Sequence, residues 1–484
     1  NMSETNKFIN ERAQRLEAAI AKCAAQSQDG QSLLLVSGDM SGIQPFLYQI
    51  VSSKAARNLK GRSCYLDLLG RAVVRSLLSA LSLDEDHVVC ESGGTFVLVS
   101  PGTPDVKKAL DKAVRFIEEK VFETHGTALS VAIDSVEITV DEARGGTTTL
   151  AKRWSEVFAK REVKKNAKCS SVISSPDGYS RFFEPQQVSG DETDAITGED
   201  IADGGMNVKD VGTVTVINKT IFDLGVELRN GSKPVLADEN YHGGAFVIEP
   251  AELGIKFYLK KGDGEKKVQT FEQMCENEDA MERLGVLRMD VDNLGAKFQE
   301  YARTQSLAAY SALSQELDQF FKHDVGVLCD KRDCYLLYGG GDDLFVVGEW
   351  RDVMELAAEI QSEFKTWVAD RKGDWSLSAG VAIVKAKYPI IEGAQRSGEE
   401  EENAKAHECS GMPKNSISLM GTALNWDKEF EPVRNLKDKM VEMLCESESL
   451  PKSFLNKVMI HASKASIKNH KVNNVSIYWH LSYD

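Results

Sequence analysis

Three acidic residues in two short stretches carry the chemistry-bearing pattern of this chain. Asp290 lies in Leu284-Gly-Val-Leu-Arg-Met-Asp290-Val-Asp292-Asn-Leu-Gly295; Asp342 and Asp343 lie in Tyr338-Gly-Gly-Gly-Asp342-Asp343-Leu-Phe345. Carboxylates at the ends of apolar runs are hard oxygen ligands, and one or two of them with substrate phosphates is the donor set that Mg²⁺ favours. Two such ions about 3.5–4 Å apart activate an attacking hydroxyl and stabilise the departing oxygen in phosphoryl transfer. The glycines at 339–341 let backbone approach a polyphosphate with no Cβ in the way, and N–H groups of the turn 292–295 can cradle phosphate oxygens. No Walker-type Gly-Lys-Ser/Thr loop is present, so a P-loop NTPase is not supported. Gly-Gly-Asp-Asp alone is also a good hairpin turn. Asp290-Val-Asp292 about fifty residues upstream is what makes it a candidate site.

The elements that must position these groups follow from apolar spacing. A strand runs into Asp290 and a turn. Leu307, Tyr310, Leu313, Leu317 and Phe320 then recur at helical spacing, and Cys334–Val347 is two apolar strands joined by the glycine turn. Val353, Leu356, Ile360, Phe364 and Trp367 mark a second helix, and Leu377–Ile383 a last strand. The N-terminal part has the same order. Leu33–Asp39 is a strand ending on a carboxylate, Glu91–Val99 a hairpin, Val106–Val121 a helix and Leu129–Ile133 a closing strand. Gly341 lies 51 residues after Asp290, and Gly94 lies 55 after Asp39. The steps on to Ser378 and Ser130 are 37 and 36 residues. Two copies of one βαββαβ unit account for this better than the generic order of an α+β chain.

The copies differ at the carboxylates. Ser41 stands where Asp292 would be, and Thr95-Phe96 replace Asp342-Asp343. With Asp39 alone the first copy should bind metal poorly. It can present Ser41, Gly42, Gln44, Gly93 and Gly94 to a nucleotide, or serve as a purely structural partner. The expected division is a helical lead (1–30), a degenerate first unit (31–160), an inter-unit module (161–275), a catalytic second unit (276–427) and a short helical end (428–484). The module has Gly/Asp turns and short apolar runs such as Thr213–Ile217; the end segment carries Met440, Met443, Leu444, Phe454, Val458 and Ile460 at helical spacing. Glu399–Glu402 reads as a solvated helix face.

Composition narrows the classes. With 42% hydrophobic and 27% charged residues the 484-residue chain is of ordinary globular make-up. A net charge of −16 opposes non-specific nucleic-acid binding by the whole surface. No apolar run approaches the roughly 18 residues of a membrane helix. The nine cysteines are scattered, with no Cys-x-x-Cys pair, which predicts buried thiols, no zinc site and a cytoplasmic protein without membrane contact.

The motifs resemble the large subunit of type III CRISPR effector complexes, the CRISPR polymerase, in its Csm-type form. The marks are Gly38-Asp-Met-Ser-Gly-Ile-Gln-Pro-Phe46, Leu59-Lys-Gly-Arg-Ser-Cys-Tyr-Leu66, Met289–Gly295, Tyr338–Phe345 and Lys414-Asn-Ser-Ile-Ser-Leu419. The resemblance implies an α+β fold: two ferredoxin-like palm domains related to GGDEF cyclases, a small module between them and a short C-terminal helical domain. It implies that the palms enclose two ATP molecules and that the second joins ATP into cyclic 3′,5′-linked oligoadenylates. Asp290, Asp342 and Asp343, with the Val291 carbonyl, match the Mg²⁺ or Mn²⁺ ligands and catalytic carboxylates. Asn293, Leu294 and Gly295 match the phosphate turn, the glycines Gly340 and Gly341 border the nucleotide, and Lys405 matches a helix lysine that meets the triphosphate. Ser41, Ser63 and the first-palm glycines would contact the other ATP. Sibling subunits, guide RNA and target RNA are the implied partners, with no structural zinc between the palms. About thirty residues precede the first palm strand, too few for the HD-type nuclease with which most members begin, and His323-Asp324 is expected to be incidental. Other palm chemistries (diguanylate-like cyclisation, AMP conjugation) and a non-catalytic scaffold are the alternatives.

Overall fold

The computed structural model describes residues 2–27, 30–48, 55–145, 148–183, 270–276, 281–341, 343–371 and 374–443, with short pieces between 226 and 267 and between 453 and 472. Its first half comprises α1 (Met2–Gln26), β1 (Ser32–Ser41), α2 (Ile43–Tyr48), α3 (Ala55–Ala80), β2 (Val88–Ser92), β3 (Thr95–Pro101), α4 (Pro104–His125), β4 (Ser130–Thr139) and α5 (Thr148–Asn166). The second half repeats the plan. It has β5 (Leu284–Val291), α6 (Leu294–Thr304), α7 (Leu307–Gln319), α8 (Val325–Lys331), β6 (Tyr335–Gly340), β7 (Asp343–Glu349), α9 (Trp350–Asp370), β8 (Leu377–Val384) and α10 (Ile390–Ala406). Then follow β9 (Ser416–Leu419), β10 (Thr422–Asn425) and α11 (Glu431–Val441).

The sheets have the order β2-β3-β1-β4 and β6-β7-β5-β8, antiparallel throughout. This is the ferredoxin-like palm twice over. In the second, β9 joins β8 in parallel and β10 extends the sheet. The central strands are near-continuous apolar runs because both their faces are covered. Local chemistry sets the helix ends: the Thr103 hydroxyl accepts from Val106 N–H, Pro104 opens α4, and Gly126 at φ 56° closes it.

Successive strand residues point to opposite faces, and the palms share two cores on that basis. Leu34, Val36 and Leu98 pack with α3 and α4, and the same cluster takes in Leu284, Val286, Phe345 and Val347 of the second palm. Leu287, Met289, Leu344 and Val346 pack with α7 and α9, and that cluster takes in Leu33, Leu35, Val97 and Val99 of the first. Each core therefore joins one palm's helical layer to the other palm's opposite sheet face. Parting the palms would open both.

Helix α5 runs past residue 160, where the first unit was expected to end, because Trp154 and Val157 bury against its sheet. Short helices Ser170–Ile173 and Gly178–Phe183 follow, and Phe182 stacks on Phe122 of α4 with ring centroids 5.6 Å apart. Between the palms, Val226–Asn230 pairs with Lys233–Leu236 and Phe246–Ile248, and Lys260–Gly262 pairs with Glu265–Lys267. Thr213–Ile217, Leu444, Phe454 and Val458 lie outside the described residues. Among the described residues no helix is long and apolar enough to cross a membrane.

Candidate active site

Ladder register brings the second palm's acidic groups together. Asp290 on β5 is the direct partner of Asp343 on β7, a separation at which cross-strand side chains interact. Gly340 pairs with Asp343, closing a two-residue loop, 341–342, entered by Gly341 at φ +68°. Asp342 itself lies outside the described residues. Val291 ends β5 opposite Leu377.

An ionic network surrounds the pair. Lys405 Nζ lies 2.7 Å from Asp290 Oδ2 and 2.5 Å from Glu401 Oε1. Arg288 Nε lies 3.3 Å from Glu401 Oε2, and its Nη2 lies 3.6 Å from Asp343 Oδ2. Burial alone would lower the Lys405 ammonium, but Asp290 and Glu401 outweigh it and hold the pKa above the usual lysine range. For Arg288, burial is likewise overcome by Asp343 and the neighbouring acids, and the guanidinium is held up. Glu399–Glu402 is thus solvated only in part: Glu399 and Glu402 are exposed, whereas Glu401 turns inward. Glu401 is 3% exposed and pairs with two half-buried cations, Arg288 and Lys405, and Glu400 accepts from the Gly421 N–H at 2.7 Å.

The turn after β5 is fixed from below. Asp292 is buried and accepts from Ser376 Oγ at 2.7 Å, Ser378 Oγ at 2.8 Å and the Asn415 N–H at 3.1 Å. Asn293 takes the left-handed conformation, φ 59°, and its Oδ1 accepts from Lys414 Nζ at 2.7 Å. Leu294 and Gly295 then open α6, with open space where a Gly295 Cβ would lie. First-turn N–H groups have no partner within their own helix and suit an anion. Oxygen donors from Asp290 and Asp343 beside such a turn fit a hard divalent cation that also takes phosphate oxygens. Among the described residues no three His, Cys, Asp or Glu side chains are grouped to hold a metal; a third carboxylate here would have to come from Asp342.

The first palm has the same frame with other chemistry. Asp39 pairs with Thr95 as Asp290 pairs with Asp343. The loop between Ser92 and Thr95 is Gly93-Gly94, at φ +62° and +84°. Thr95 therefore occupies the place of Asp343 and Gly94 that of Asp342, one residue away from the Thr95-Phe96 match expected from sequence. Thr95 Oγ1 donates to Asp39 Oδ1 at 2.6 Å, and Lys165 of α5 forms an ion pair with Asp39. Arg161, one turn earlier, donates to Ser37 Oγ at 3.3 Å.

The hairpin turns of the two palms abut. A Cβ on Gly340 would lie 2.9 Å from Gly93 Cα, and one on Gly94 would meet Ile43 Cδ1 at 2.6 Å. Ser63, Ile43, Gly93, Gly94, Tyr338 and Gly340 line one small cleft at this seam. Ser41 pairs with Ser130 at the strand end, Gly42 at φ +93° leaves no room for a Cβ beside Ala128 O, and Gln44 is exposed on α2. His323 and Asp324 are both exposed, with Nδ1 and Oδ1 2.9 Å apart. Sequence reasoning missed Arg288, Glu401 and Lys165. Glu401 was readable as the i, i+4 partner of Lys405.

Comparison with known proteins places this frame. The second palm domain of the Cas10/Cmr2 family matches residues 283–418, and domain B of the Csm1 subunit matches 32–180. In both palms the chain is similar to Cas10/Csm1 large subunits. It is 28% identical over 458 residues to an Enterococcus italicus relative, covering 88% of this chain and 59% of that one. To a Methanocaldococcus jannaschii relative it is 25% identical over 519 residues, covering 87% and 64%. Both carry the name CRISPR system single-strand-specific deoxyribonuclease Cas10/Csm1 (subtype III-A). The fold matches the apo Csm1-Csm4 cassette and the cassette in complex with cA4, each with a TM-score of 0.68, 22% identity, and coverage of 93% of this chain and 64% of the other. The chain thus spans about six-tenths of the length of the relatives it matches.

Proposed function

We propose that this chain is a nucleotidyltransferase of type III-A CRISPR defence that joins ATP into cyclic oligoadenylates. The observation that carries the reading is the cross-strand Asp290–Asp343 pair beside the open first turn of α6, present in one palm and absent from the palm docked against it. In the reaction the 3′-hydroxyl of one ATP gives up its proton to solvent and its oxygen bonds to the α-phosphorus of the other; the bond from that phosphorus to the bridging oxygen breaks, and pyrophosphate departs. Asp290, Asp342 and Asp343, with the Val291 carbonyl, would hold Mg²⁺ or Mn²⁺, which supplies charge stabilisation at the phosphoryl group. The chain's own groups do the rest. The N–H groups of Leu294 and Gly295, held at a fixed angle by Asn293 and the buried Asp292, receive phosphate oxygens. Lys405 adds positive charge at the same strand end. Ser63, Gly93 and Gly94, with Ser41 and Gln44 nearby, line the seam for the second nucleotide. Positioning of this kind supplies most of the rate in phosphoryl transfer.

Solved Csm1-Csm4 cassettes in complex with one ATP, pppApA and cA4 support the substrate and product. They also support a Csm4-type subunit as partner; guide and target RNA would be met through the assembled complex. Incubation with ATP and Mg²⁺, with and without guide and matching target, followed by mass spectrometry, tests the reading. Cyclic adenylates that vanish in D343N are expected. No adenylate product under any condition contradicts it.

A further inference from the structure

Ser92 is the last residue of β2 in the first palm, and its side chain reaches the second. Its Oγ accepts from the Gly341 backbone N–H at 2.7 Å and donates to Oδ1 of Asp318 on α7. An ionised carboxylate only accepts, so the Ser92 proton is committed to Asp318 and the hydroxyl lone pairs are turned toward Gly341. Lys322, 3.0 Å from Asp318 and 13% exposed, holds that carboxylate in turn. Gly341 lies beyond the last ladder pair of its hairpin, Gly340–Asp343, and begins the loop that carries Asp342. The residue equivalent to Ser92 in the second palm is Gly340, which has no side chain to return the contact.

We propose that Ser92 is a positioning residue for the second palm's reaction: through its hydroxyl the metal-poor first palm sets the conformation of the turn bearing Asp342 and Asp343. The kinetic consequence rests on the nucleotidyltransferase reading; the geometric one does not. A catalytic turn held by a neighbouring domain makes activity conditional on palm–palm docking, and small displacements of such groups are costly in rate.

The test uses the full chain, in the complex in which it is active, as wild type, S92A and S92T, with two readouts. Amide exchange of the segment 338–344 needs no turnover. Steady-state oligoadenylate synthesis gives kcat and KM for ATP. In S92A we expect exchange at Gly341 to quicken roughly five- to tenfold, the loss of one hydrogen bond, and kcat to fall about tenfold with KM within about twofold. S92T, which keeps the hydroxyl, should restore both, with unchanged thermal midpoints throughout. Unchanged exchange in S92A overturns the proposal, as does a wild-type kcat in S92A, or a loss that tracks the melting temperature and is not rescued by threonine. If the wild type makes no oligoadenylate, the nucleotidyltransferase reading falls separately and the exchange readout still decides the role of Ser92.

Discussion

Near the end of its central strand each palm has an aspartate paired with a lysine from a helix that follows its closing strand, Asp39 with Lys165 and Asp290 with Lys405. The palms diverge four residues before that lysine, where the first has Arg161 and the second Glu401. In the second palm Asp290, Asp343 and Glu401 face Arg288 and Lys405, so a divalent cation adds charge that the cluster can absorb. In the first, Thr95 replaces a carboxylate and Arg161 replaces Glu401, leaving Asp39 already matched by Lys165. One frame thus keeps its lysine and changes its charge balance, which on the proposed function separates the strand end that would hold metal from the one that would meet the second nucleotide.

The charge position itself should give the largest effect. E401A takes one of two acidic partners from each of the half-buried Arg288 and Lys405 and should cost about 3 kcal/mol of stability, read as a shift in the urea midpoint. R161A loses one hydrogen bond and the stacking of its guanidinium over Phe158, 4.7 Å away, and should cost about 1–2 kcal/mol. Equal losses would break the comparison. Next comes the turn. D292A removes a buried acceptor of three hydrogen bonds and should cost about 2–3 kcal/mol, whereas S41A at the equivalent place should stay within about 0.5 kcal/mol. The loop residue follows: G94D forces a side chain into φ +84° against Ile43 and should cost about 1–2 kcal/mol. A T95D substitution, with Lys165 at hand, should fold normally yet bind no Mn²⁺ by electron paramagnetic resonance unless R161E is added. The smallest effect is a labelling rate. Burial pushes the Cys90 thiol, inside a core shared by both palms, up to about 12. Raising the pH from 7 to 9 should therefore leave it unalkylated while an ordinary thiol with pKa about 8.5 reacts. Rapid labelling at pH 9 would mean that the palms part in solution.

Much of this was legible from residue order. The apolar run into Asp290, the helical spacings and the glycine turn each reflect a local periodicity, and their recurrence exposed the duplicated palm. What escaped depends on register and burial. Matching glycines aligns Gly94 with Gly341, but the ladders pair Ser92 with Thr95 and Gly340 with Asp343, which moves the match by one. Four consecutive glutamates read as solvated, yet helical geometry turns Glu401 inward onto Arg288, a half-buried cation in a mostly apolar strand. Lys165 carries no local signature, since it meets Asp39 only through the packing of α5 on the first sheet.

Turnover in D290N and D39N, measured side by side with ATP and Mg²⁺ under activating conditions, is the most direct trial. A fall of about 10²- to 10³-fold in D290N, against less than about tenfold in D39N, is the predicted result. Comparable losses in the two variants, or sustained synthesis in D290N, would contradict the assignment of the chemistry to one palm.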